Sequence, residues 1–164
     1  MKKIIRLTAI ALAILTLTFC TVACRQQEKD ITLDIDQLAK ALSEVKYVDE
    51  MVKLDDAVVA TSYALTSDAK KAVVYGASGA TPEEIIVAEY EDIASAKAAI
   101  SKYSDRLAAQ KKVFDTYNAE YRPLLDQMIL QQAGKYIIYC VSSDYTAASK
   151  IVDSYIGNVV HIAK

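Results

Sequence analysis

Cys140 is the one side chain in the body of the sequence that could act as a strong nucleophile, and it is poorly supplied for the task. A cysteine attacks as the thiolate and needs a base, usually histidine, to form it. The only histidine, His161, lies in the C-terminal tail beyond Gly157-Asn158, whereas Cys140 stands between Tyr139 and Val141 in an apolar run. That context reads as a buried structural thiol. Ser78 has the same remote base and gains nothing from it. The carboxylates come in groups, Glu83-Glu84 and Glu89-Tyr90-Glu91-Asp92, and paired acids could do general acid–base work. On a loop and at the start of an element such pairs are expected to be solvated. Asp34-Ile35-Asp36 opens like a calcium loop but lacks the glycine and distant glutamate that complete one, so helix capping is the better reading of Asp34. There is no His/Cys cluster for zinc. Gly76-Ala77-Ser78-Gly79-Ala80 is neither a Walker loop nor a dinucleotide fingerprint. No catalytic residue, metal ligand or cofactor site is therefore assigned from sequence. Eleven tyrosines without a tryptophan could stack on sugars, but Tyr103, Tyr117 and Tyr121 fall on a helical apolar stripe, and Tyr136, Tyr139 and Tyr155 in core elements.

Cys24 carries the most specific chemistry. Lys2, Lys3 and Arg6 precede an apolar run from Leu7 to Val22, and Ala23-Cys24 follows. This is the order of a secretory signal: charged, apolar, then a small residue at the cut. The apolar run is short of the roughly 20 residues a spanning helix needs. Thr21-Val22-Ala23-Cys24 resembles the lipobox of bacterial lipoproteins, in which the cysteine is acylated and becomes the new N-terminus, although Thr21 stands where an aliphatic residue is usual. Cys20 is the competing site, but Phe19 before it is too bulky for a pocket that takes small residues. The expected organisation is a signal peptide over 1–23, a lipidated Cys24 with a polar tether over 24–30, and one domain over 31–164. The expected location is the outer face of the cytoplasmic membrane.

Lys2, Lys3 and Arg6 lie in the segment to be removed, so the mature chain has a net charge of about −5. That balance disfavours nucleic acid as a partner and provides no polybasic membrane patch. With Cys20 removed and Cys24 acylated, Cys140 has no disulfide partner, which suits an exported Gram-positive protein.

The elements that must position these residues follow from periodicity. Asp34 and Gln37 have capping-box spacing, and Ile35, Leu38, Ala39, Leu42 and Val45 predict a helix over 35–45. A short helix is expected over 55–64, capped by Asp55, with Val58, Val59 and Tyr63 inward. Ala72–Tyr75 is rich in β-formers and reads as a strand, with 76–80 a loop. Thr81-Pro82-Glu83-Glu84 has the grammar of a helix start, yet the β-branched Ile85-Ile86-Val87 favours a strand over 84–90. Ile93, Ala96, Ile100, Tyr103, Leu107, Gln110, Phe114, Tyr117 and Tyr121 recur in steps of three and four, an amphipathic helix of about six turns broken at Asn118 or Pro123. Strands are expected over 128–132 and 135–141, with Ala133-Gly134 as a tight turn between them. A last helix, capped by Ser143 or Asp144, would bury Ala148, Ile151, Val152, Tyr155 and Ile156. The expected class is α+β: a four-stranded, mainly antiparallel sheet from two hairpins joined by the long helix, in the order ααββαββα.

Tyr75-Gly76-Ala77-Ser78, Glu84-Ile85-Ile86-Val87, Arg106-Leu107, Gln110-Lys111-Lys112-Val113-Phe114, Tyr117 and Gly134-Lys135-Tyr136-Ile137-Ile138 resemble a family of Gram-positive (Firmicutes) lipoproteins catalogued only as a domain of unknown function. The resemblance extends over about residues 35–157. It brings no activity, but it looks like a family often encoded beside membrane-bound O-acyltransferases and surface-anchored acyl-transfer partners. The expectation is a non-catalytic binding or accessory module, tied to the membrane by lipid, serving an integral membrane or envelope protein such as an acyl-transfer system. The alternative is an envelope-acting hydrolase or acyl-transfer enzyme.

Overall fold

The computed structural model describes residues 31–157; Cys24, the signal segment and His161 lie outside them. Helix α1 (Ile35–Ser43) is followed by strand β1 (Met51–Lys53), helix α2 (Asp56–Ser62) and a 3-10 turn (Ala64–Thr66). Strands β2 (Lys71–Ala77) and β3 (Glu84–Glu89) form a hairpin, and the long helix α3 (Ile93–Tyr117) runs into a 3-10 segment (Ala119–Asp126). Strands β4 (Ile129–Ala133) and β5 (Tyr136–Val141) make a second hairpin, and helix α4 (Tyr145–Ile156) follows. All pairings are antiparallel, in the order β1-β2-β3-β5-β4.

The α+β class agrees with the sequence, but the sheet has five strands rather than four. The additional strand, β1, is an edge of three residues, mostly exposed, paired through Met51↔Ala77, Val52↔Gly76 and Lys53↔Tyr75. Such short edges resist further pairing and leave almost no periodic signal. Its partner β2 correspondingly continues through Gly76 and Ala77, residues expected in the loop.

Both faces of the sheet are covered, so β3 and β5 are apolar on both sides. Ile86, Ala88, Ile137, Tyr139 and Val141 pack with Tyr103 and Leu107 of α3 and Val59 of α2. Ile85, Val87, Ile138 and Cys140 pack with Leu38 and Leu42 of α1 and Ala148 and Val152 of α4. β5 is interior, with β3 on one side and β4 on the other.

The caps explain the helix starts. Asp34, Asp92 and Asp144 accept hydrogen bonds from the backbone N–H groups of Gln37, Ser95 and Ala147. Asp55 occupies the corresponding position on α2 but makes no side-chain cap bond. α3 stops at Asn118. The second hairpin turns on Gly134-Lys135 rather than Ala133-Gly134, because Ala133 pairs with Tyr136. Gly134 has φ +55°, a left-handed conformation that glycine adopts without Cβ strain.

Three inward assignments are corrected. Val58 is 42 % exposed, Tyr155 38 % and Tyr117 83 %. Val58 is turned about 100° from the buried Val59 on its helix, while Tyr117 and Tyr155 stand at the C-terminal ends of theirs. Beyond Leu107 the lower half of α3 has no buried residue. Tyr121 is half-buried and lies in the 3-10 segment, off the helix.

Candidate functional site

Glu84 is the residue that organises the most polar part of the interior. It shares a face of β3 with Ile86 and Ala88 and so points toward α3. Its carboxylate is held by Arg106 of α3, which donates through Nε at 2.7 Å and Nη2 at 2.5 Å. This two-toothed geometry is the strong form of the carboxylate–guanidinium pair. The Glu84 side chain is only 5 % exposed and that of Arg106 27 %. Burial opposes the Arg106 charge, but the pairing outweighs it and holds the guanidinium above its usual pKa. The guanidinium also lies 4.7 Å from the ring centre of Tyr63, a cation–π contact.

One turn along α3, the Tyr139 hydroxyl donates to Gln110 Oε1 at 2.5 Å. Burial, and then the Glu84 charge, push the Tyr139 phenol upward. Tyr139 is therefore a neutral donor, and its bond fixes which end of the Gln110 amide faces inward. Arg106 and Gln110 also line an open groove of about 470 Å³, walled by Leu65, Ala109, Val113 and Phe114.

Glu83 has a different role. It is 2 % exposed and accepts from the backbone N–H groups of Val48 (2.8 Å), Asp49 (3.1 Å) and Ser143 (3.1 Å) and from the Thr81 hydroxyl (3.3 Å). One carboxylate thus ties three loops together at one end of the sheet. The expectation that Glu83 and Glu84 are solvated is overturned. Each is buried because a complete set of donors replaces water. Glu84 left a signal in the sequence: a charge on the same β-face as Ile86 and Ala88 demands a buried partner. Glu83 left none, since its donors are backbone groups from distant loops.

The remaining candidates separate. Glu89 pairs with Lys135 at 2.7 Å, Glu91 is exposed, and Asp92 caps α3. Asp34 caps α1, while Asp36 pairs with Lys53 and Lys71. Ser78 is exposed on the β2–β3 loop. Cys140 is 1 % exposed, with its Sγ 3.8 Å from the Tyr47 hydroxyl. Burial pushes its pKa up to about 12, which leaves a protonated, unreactive thiol at neutral pH. Tyr103 and Tyr139 are buried with ring centres 6.2 Å apart, and Tyr136 is buried on the opposite face. Among the described residues no group of three His, Cys, Asp or Glu could hold a metal ion, and no helix is long and apolar enough to cross a membrane.

Residues 43–142 match the family model described as a domain of unknown function, DUF4358. The chain belongs to this family. The matched region begins at the end of α1 and closes just after β5, so it holds the whole sheet, α3, both buried glutamates and the groove. No curated protein and no solved structure matches the chain.

Proposed function

We propose that this chain is a lipid-anchored, non-catalytic module that binds a partner at the outer face of the cytoplasmic membrane of a Gram-positive cell. The observation that carries the reading is the use made of the interior polar groups. Glu84 and Arg106 neutralise each other, Glu83 is saturated by loop donors, and Cys140 is a buried thiol. These groups build a rigid frame, and the frame presents an open groove beside α3.

The anchor rests on the sequence. Acyl chains on Cys24 would hold the domain to the bilayer, because each buried methylene contributes about 0.8 kcal/mol. The polar stretch 25–30 would keep the domain within about 20 Å of the membrane, at roughly 3.3 Å per extended residue. Confinement at that height raises the effective concentration of partners in the same membrane. The resemblance noted above makes an envelope acyl-transfer complex the named partner.

In-cell cross-linking of the lipidated protein, followed by mass spectrometry, tests the proposal. Enrichment of an integral membrane protein is expected. Recovery of only soluble or wall-bound material, in equal amounts from wild type and Cys24→Ser, would contradict it and favour a module for wall or extracellular ligands.

A further inference from the structure

Residues 44–50 cross one end of the sheet between α1 and β1, and polar bonds more than apolar packing hold them there. None of the seven is buried, and Glu44, Lys46, Val48 and Glu50 are exposed. Val45 and Tyr47 are only partly buried against the core beneath. The elements around the segment differ: Leu38 and Leu42 of α1 and Ile85 of β3 are fully buried. A segment with few buried apolar contacts opens at a lower free energy than the fold as a whole.

The bonds that hold it converge. Glu83 accepts from the backbone N–H groups of Val48 and Asp49, and the Ser143 hydroxyl donates to the Lys46 carbonyl at 2.9 Å. The Ser143 N–H itself donates to Glu83 at 3.1 Å. One carboxylate therefore holds both the segment and the residue that clamps it. Beneath lies Tyr47, whose hydroxyl donates to the Leu42 carbonyl at 2.8 Å and stands 3.8 Å from Cys140 Sγ. Lifting 44–50 would carry this phenol off the thiol.

From the shared acceptor and the thin packing, we propose that residues 44–50 form a strap that opens as a unit. Glu83 is its latch, and opening uncovers the interior between α1 and the sheet where Cys140 lies. Because the bonds share one carboxylate, they break together while α1, the sheet and α4 stay in place. Cys140 reports the opening and takes no part in it. The motion requires neither the lipid nor a partner.

The test is labelling of Cys140 in the full-length chain by a polar maleimide, quantified at that residue by peptide mass mapping, at denaturant concentrations well below the unfolding transition. Labelling through the strap should be nearly independent of denaturant, because so short an opening exposes little surface, whereas labelling through global unfolding climbs with the full slope. Without denaturant, Glu83→Gln should raise the rate about tenfold or more, through loss of charge-assisted bonds. Ser143→Ala, at an exposed position, removes only the hydroxyl clamp and should raise it about threefold, which keeps the test open if the first variant does not fold. Ile137→Val, in the core on the opposite face of the sheet, should lower the unfolding midpoint and leave the rate as in wild type. A rate that follows the global slope from the lowest denaturant concentration, an unchanged rate in Ser143→Ala, or an acceleration in Ile137→Val as large as in Ser143→Ala would overturn the strap.

Discussion

Glu83 and Glu84 are adjacent in the chain and opposite in their bonding, and each makes a separable prediction. Glu83 faces only donors, so Glu83→Gln would turn an NH2 group toward at least one of the Val48, Asp49 and Ser143 N–H groups. Losing charge-assisted bonds and leaving buried donors unpaired should cost about 3 kcal/mol, read as a lower denaturant midpoint with an unchanged slope. For Glu84 the informative comparison is a cycle. Arg106→Leu leaves a buried, unpaired carboxylate and should cost about 3 kcal/mol or more, whereas Glu84→Leu with Arg106→Leu should recover most of that loss. Equal destabilisation by the single and double variants would reject the pair as the local organiser. Cys140→Ala should cost on the order of 1 kcal/mol. The thiol is held protonated up to about pH 12 in the folded chain, whereas an unfolded thiol ionises near 8.5. The folded state therefore binds the extra proton between those values, and stability present below about pH 8.5 is lost as pH rises toward 12. Unfolding measured from pH 8 to 11 should show a shallower alkaline loss in Cys140→Ala than in the parent. The raised phenols of Tyr103 and Tyr139 add an alkaline loss in both proteins.

At the scale of elements, what could be read from sequence tracks the strength of the local pattern. α3 repeats its apolar spacing over many turns, β3 and β5 are β-branched and bounded by turn residues, and Asp34, Asp92 and Asp144 occupy cap positions. β1 has three residues and belongs to the sheet only through its pairing with β2, a long-range fact. Arg106 and Gln110 are likewise visible as residues of an amphipathic helix, but their meeting with Glu84 and Tyr139 depends on how helix and sheet are docked. The stripe itself misleads at Tyr117: its spacing is correct, but the sheet no longer lies beneath it. Gly134→Ala tests the turn between β4 and β5. An alanine at φ +55° should cost about 1 kcal/mol, measured by chemical denaturation, and an effect near zero would mean that the turn relaxes freely.

For the whole molecule, the proposal that Cys24 carries a lipid makes the first prediction. Cys24→Ser should abolish palmitate incorporation and lipoprotein-type processing, and Cys20→Ser should preserve both; palmitate on the Cys24→Ser chain would reject the anchor. The described residues carry two cores of their own, so folding is expected to be the same with or without the proposed lipid. The proposed anchor would act on partner encounter, since tethering alone can raise effective affinity by factors of a hundred or more. The most direct measurement is the yield of co-purified membrane partner per molecule of protein, compared between the lipidated chain and Cys24→Ser after in-cell cross-linking. The yield should fall at least tenfold in the unlipidated form, with its circular dichroism unchanged. Equal yields from the two folded forms would contradict it.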